Sequence, residues 1–205
     1  MQHTTENNTQ TRRISVLLIG PGGVGKTAYA RLLQTGGFKP SKEPTENAVS
    51  YTLTPWKVTG GHGHVEFTLR EINSLPQDRL DKTIEGAEGV IAMYDLQQEE
   101  KTAADVEQMY HILTGKAKSD MPIALCGNKT DLVTFRDPGR EEDASSSASP
   151  TIDPIATYRI LQHWKEHISP HTSHYYISAK SSYQLEKPLL HIASCVLNDP
   201  ALGLE

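Results

Sequence analysis

The chain predicts an α/β fold, a mostly parallel six-stranded sheet with helices on both faces. Three observations carry this. Short β-branched or leucine-rich runs alternate with stretches of helical period along the chain. The first apolar run ends on glycines that lead straight into a helix-forming stretch. The length of 205 residues suits one domain with a real core.

Ile14 to Ile19 ends at glycine and reads as a buried strand. Lys26 to Gln34 has helix-forming composition and stops near Gly36-Gly37. Ala48 to Val58 and Val65 to Ile72 read as two strands, joined by a hairpin connection over 59–64. Gly89 to Leu96 is another buried strand. Thr102 to Lys116 is a helix with Val106, Met109, Tyr110 and Leu113 on one face. Pro122 to Cys126 is a strand, Ala156 to Ile168 a helix, Tyr175 to Ile177 the last strand and Leu185 to Leu197 the last helix. Asp137 to Thr151 is polar, low in complexity and without an apolar face, so it reads as a disordered loop, a tolerated surface insertion. The expected organisation is a flexible tail over 1–12, a domain over 13–200 and a short C-terminal end over 201–205.

Composition narrows the function classes. The net charge of −5 supplies no strong basic field for nucleic acid or anionic lipid. Two cysteines, Cys126 and Cys195, are too few for a disulfide framework, which fits a reducing compartment. The polar N-terminus is not a secretory signal, and no apolar run approaches the ~20 residues needed to span a bilayer. Ala201 to Glu205 holds no cysteine, so no prenyl anchor is expected. The expectation is a soluble, intracellular protein.

Two motifs carry chemistry, each at the carboxyl end of an expected strand, where open α/β sheets bind ligands. Gly20 to Thr27 matches G-x-x-x-x-G-K-S/T, a P-loop. Its glycines let backbone amides turn inward around phosphate oxygens. Lys26 brings a charge to the β and γ phosphates, the Thr27 hydroxyl is placed for Mg²⁺, and the following helix points its N-terminus at the anion.

The second motif, Asn128-Lys129-Thr130-Asp131, selects the base. Guanine presents two adjacent donors, and the Asp131 carboxylate can accept both. Adenine would leave that carboxylate unpaired. Asn128 can bond the base and also tie the two loops together, and the Lys129 stem can lie along the ring. Farther on, Ser178-Ala179-Lys180 follows the last strand, where the Ala179 amide can donate to the guanine O6. The combination argues against an ATP-using kinase.

These residues resemble the signature of Ras-like small GTPases over nearly the whole chain. Within that superfamily the chain is most similar to the Ran family of nuclear transport. The likeness rests on Ser178-Ala179-Lys180-Ser181, Tyr183, Glu186-Lys187-Pro188, Leu190, Ala193, Asp199-Pro200 and Leu202, with Leu125 to Lys129 and Thr35-Gly36-x-Phe38. The resemblance implies GTP or GDP with Mg²⁺ as ligands. It implies nucleotide contacts from Gly22, Gly23, Val24, Gly25, Lys26, Thr27 and Ala28, and from Asn128, Lys129, Asp131, Ser178, Ala179 and Lys180. Phe38, 12 residues after Lys26, takes the place of the aromatic that stacks on guanine. Thr45, 19 after Lys26, takes that of the threonine that senses Mg²⁺ and the γ-phosphate. Metal ligands implied are Thr27 and Thr45. An exchange factor, an activating protein and transport-receptor effectors are the implied partners, with a location in nucleus and cytoplasm.

The chain departs from the family in the second switch, which normally reads D-x-x-G-Q. Glu71 takes the place of the aspartate that orients Mg²⁺ through water, Ser74 that of the glycine gripping the γ-phosphate, and Leu75 that of the glutamine positioning the attacking water. Leucine cannot hold water, so slow or partner-dependent hydrolysis is expected. Gln77 can substitute if the loop runs differently. Lys42 replaces the first switch's usual tyrosine, and Ser169 to His174 lacks the basic segment found in Ran. Two other readings stay open. One is a pseudo-GTPase acting as a nucleotide-stabilised interaction module. The other is a trafficking GTPase of Rab type without an anchor. His163 and His167 have metal-like i, i+4 spacing but read as surface residues, like His62 and His64. Trp56 and Trp164 read as packing residues.

Overall fold

The structure is a computed structural model, and it describes residues 11–38, 48–72, 77–97, 99–135, 151–152 and 154–205. In chain order the elements are β1 (Thr11–Ile19), α1 (Lys26–Thr35), β2 (Ala48–Thr52), β3 (Trp56–Lys57), β4 (His64–Ile72), α2 (Gln77–Glu85), β5 (Gly89–Asp95) and α3 (Glu99–Leu113). Then follow β6 (Ile123–Asn128), a 3₁₀ turn (Thr130–Leu132), β7 (Thr134–Phe135), β8 (Thr151–Ile152), α4 (Pro154–His167), β9 (Thr172–Tyr176) and α5 (Lys187–Val196).

The main sheet runs β2-β4-β1-β5-β6-β9, and β3 pairs with β4 as a short seventh strand. Strands β4, β1, β5, β6 and β9 are mutually parallel, while β2 and β3 lie antiparallel to β4. The expected six positions are present, but the expected strand over 48–58 is broken. Pro55 sits in the break and has no N–H for the ladder.

Side chains alternate across β1. Ile14, Val16 and Leu18 join a core with Tyr29 of α1 and Leu189, Ile192 and Ala193 of α5. Leu17 and Ile19 face the other core, with Ile84 of α2, Val106, Met109 and Leu113 of α3, and Trp164 of α4. Among the described residues, two helices therefore cover one face and three the other. Trp164 is fully buried, and Trp56 meets Phe67 edge-on at 5.1 Å, so both tryptophans pack as expected.

Helix α2 has no counterpart among the sequence expectations. Among its described side chains, Leu80 and Ile84, one turn apart, are those that pack against the core, a stripe too short to read. The expected loop over 137–151 lies outside the described residues except for Thr151. The chain on either side of it is drawn together, because β7 and β8 pair in parallel, Thr134 against Thr151.

β1 begins two positions before the expected domain start, at Thr11. The stretch 203–205 lies along 57–59. The Thr59 amide donates to the Gly203 carbonyl at 3.0 Å, and the Glu205 amide to the Lys57 carbonyl at 3.1 Å. The Val58 amide points the other way, to Gly63. No helix among the described residues is long and apolar enough to cross a membrane.

Candidate functional site

The strand order reverses at β1, which has β4 on one side and β5 on the other. That leaves a crevice at its carboxyl end. The loop Gly20 to Gly25 fills it and runs into α1. Two glycines there are required by space as well as by backbone angle. Gly20 has φ +146°, and a Cβ on it would lie 2.2 Å from the Met93 carbonyl oxygen. Gly25 has φ +102°, and a Cβ would lie 2.3 Å from Asn128 Nδ2. Gly22 and Gly23 are exposed, and Val24 is buried. α1 has no side-chain cap and no acidic residue in its first turn. Its first amides and dipole are thus available to an anion.

Lys26 opens α1 and is buried. Its ammonium donates to the carbonyls of Gly20 at 2.7 Å and Pro21 at 2.9 Å. Burial lowers its pKa, and the negative charge of Glu71 partly offsets that. A cation held this way across a glycine-rich loop at a helix N-terminus suits a phosphate chain. Next to it, the Thr27 hydroxyl donates to the Glu71 carboxylate, with oxygens at 2.8 and 3.0 Å. A hydroxyl and a carboxylate side by side are the oxygen donors that Mg²⁺ takes, so Thr27 and Glu71 fit a Mg²⁺ ion beside the phosphates.

The base end is a cavity of about 230 Å³ lined by Gly25, Ala28, Phe38, Gln97, Asn128, Lys129, Asp131, Leu132, Ala179 and Lys180. Most of the residues expected around the base are therefore together. Asn128 ends β6 and is buried. Its Nδ2 donates to the Val24 carbonyl at 2.7 Å, and its Oδ1 accepts the Ala179 amide at 3.1 Å. One side chain thus ties the phosphate loop to both base-side loops. The Ala179 amide is directed at Asn128 here.

Asp131 is held by Ser178, whose hydroxyl donates to Oδ1 at 2.6 Å, while Lys180 Nζ stands 3.6 Å from Oδ2. A carboxylate preset at the base cavity favours a ring edge with two adjacent donors. Lys129 takes φ +71°, an uncommon backbone for a side-chain-bearing residue. It is held there by Asp95, which accepts from Nζ at 2.6 Å and from the Gln97 amide at 3.0 Å. Asp95 and Gln97 are site residues that sequence reasoning missed. The available signal was an acidic residue closing the apolar run Gly89 to Tyr94, at a strand's carboxyl end.

Thr45, Ser74 and Leu75 lie outside the described residues. Gln77 is the first residue of α2, and only its backbone is described. The histidines play other parts. His163 stacks on Tyr110 at 4.8 Å, and His62 pairs with Asp199 at 3.1 Å.

The model of the Ras family matches residues 15–198 of the chain, spanning the phosphate loop, the metal-side pair and the base cavity. The chain belongs to the Ras family of small GTPases. The Ras-family domain is a nucleotide-binding switch and GTP hydrolase, with guanine nucleotide and Mg²⁺ as its generic ligands. In this Ras-family chain the doubly wound α/β fold and the site's position at the β1 crevice agree with that membership.

Proposed function

We propose that this Ras-family protein is a guanine-nucleotide switch with slow or partner-dependent hydrolysis, in a Ran-like role in transport between nucleus and cytoplasm. The observation that carries the nucleotide part is the Asn128 tie. It joins the phosphate loop to the loops bearing Asp131 and Ala179, so phosphate and base are gripped as one unit. The γ-phosphate would order Thr45 and the second switch, and partners would read that order. Support for slow hydrolysis is compositional. Leu75 stands where the family holds its water-positioning glutamine, and a leucine offers no hydrogen bond to the nucleophile. The Ran-like role rests on the resemblance of Ser178 to Leu202 to that family. Leu75 also favours a second reading, a nucleotide-stabilised interaction module without turnover.

Chromatography of the denatured protein identifies the bound nucleotide, and GDP or GTP is expected. Single-turnover hydrolysis with purified protein then separates the two readings. A slow rate that rises with Leu75→Gln supports the enzyme; no rate in either protein sinks it. Asp131→Asn should weaken GTP on the order of 10–100-fold, the scale of charge-assisted hydrogen bonds. It should also favour xanthosine nucleotides, whose base presents an acceptor in place of the guanine amine. Unchanged GTP affinity would remove Asp131 from base recognition. GTP-dependent capture by a purified import receptor tests the transport role.

A further inference from the structure

β4 brings a carboxylate to the metal side of the phosphate loop under unusual restraint. Glu71 is 1% exposed. Both its oxygens lie against Thr27 Oγ1, at 2.8 and 3.0 Å, and the Tyr51 hydroxyl donates to Oε2 at 3.1 Å. Thr27 comes from α1 and Tyr51 from β2, so two elements aim hydroxyls at one side chain of a third. Tyr51 is itself buried, so its hydroxyl is held at that carboxylate by the packing of β2.

The spacing has a meaning beyond hydrogen bonding. Mg²⁺ holds oxygen ligands at about 2.1 Å in a near-octahedral shell, so neighbouring ligands stand about 3.0 Å apart. The distances between Thr27 and Glu71 match one edge of such a shell. The family's shorter aspartate reaches the ion through a water. Glutamate is longer by one methylene, so its carboxylate reaches farther toward the ion.

Resting on the nucleotide reading above, we infer that Glu71 is a direct ligand of the nucleotide's Mg²⁺ beside Thr27, and that Tyr51 is the positioning residue that holds its other oxygen. A carboxylate bound directly contributes its charge at the ion, and it displaces one metal-bound water.

Mn²⁺ serves as the probe. In the full chain with GDP, magnetic resonance in water enriched in the magnetic isotope of oxygen counts the waters on the ion. Glu71→Asp should gain one bound water relative to the unaltered chain. Equal counts would overturn the proposal, as would GDP binding that ignores Mn²⁺. If neither GDP nor GTP binds at all, the nucleotide reading itself has failed, and this inference with it.

Tyr51→Phe supplies a milder variant. The free Mg²⁺ needed to slow release of a fluorescent GDP should rise roughly tenfold, the scale of a lost outer contact to a metal ligand. Release in excess chelator should be unchanged. Faster release with chelator present, and no shift in the Mg²⁺ requirement, would mean that Tyr51 only packs the core.

Discussion

Asn128 uses both ends of one amide, Nδ2 on the Val24 carbonyl and Oδ1 on the Ala179 amide. Gly25 lies directly under it. Gly25→Ala would put a methyl 2.3 Å from Asn128 Nδ2 on a backbone at φ +102°. The amide must then swing away, and the Val24 bond is lost. Release of fluorescent GDP should accelerate on the order of 10–100-fold, matching a buried hydrogen bond lost at about 1–3 kcal/mol. Gly22→Ala, with nothing within 4 Å of its Cβ, should change release far less. The phosphate loop and Asn128 to Asp131 were legible because each motif acts through residues adjacent in sequence. Tyr51 and Asp95 were not. Their partners lie 20 and 34 positions away, Glu71 for the first and Lys129 for the second. Only the sheet brings them together.

Among the elements, α5 packs tightly on the sheet at the start of β5. A Cβ on Gly89, at the start of β5, would lie 2.5 Å from Ile192 Cγ2, and Ile192 is fully buried. Gly89→Ala should therefore push α5 outward and destabilise the fold by about 1–3 kcal/mol, with Tm lower by several degrees. Thermal unfolding checks this, and an unchanged Tm would mean that α5 shifts freely. The buried strands β1, β5 and β6 were legible because a continuous apolar run bounded by glycine, too short for a buried helix, reads as a strand. α3 and α5 carry clear apolar faces and were legible too. α2 escaped because, among its described side chains, Leu80 and Ile84 are the apolar ones on the core, and the ion pair of Asp81 with Lys116 at 2.8 Å joins residues 35 apart. The pairing of β7 with β8 escaped because two-residue strands leave no periodicity. The break before β3 was written in Pro55, whose missing donor outweighed the apolar pattern around it.

For the molecule as a whole, acid is the informative stress. His174 of β9 shares a hydrogen bond with the Tyr94 hydroxyl of β5 at 2.7 Å, and burial lowers its pKa to about 4. The unfolded chain takes up that proton near pH 6.5. The contribution is therefore intact above about pH 6.5 and is lost progressively as pH falls towards 4, roughly 3 kcal/mol in total. Urea unfolding at pH 7 and pH 5 should show the loss, and His174→Asn should flatten it. Fold class was legible at this scale, from the alternation of strand and helix. The order of strands was not, because crossovers leave no mark on local composition. The lie of 203–205 along 57–59 was equally hidden. A sheet edge with free donors and acceptors is a template for another strand, and so for self-association. Here the Lys57 carbonyl and the Thr59 amide are already engaged by the chain's own residues. At that stretch a second copy cannot pair with 57–59 without first displacing 203–205, so three residues outside the candidate site bear on the protein's colloidal behaviour.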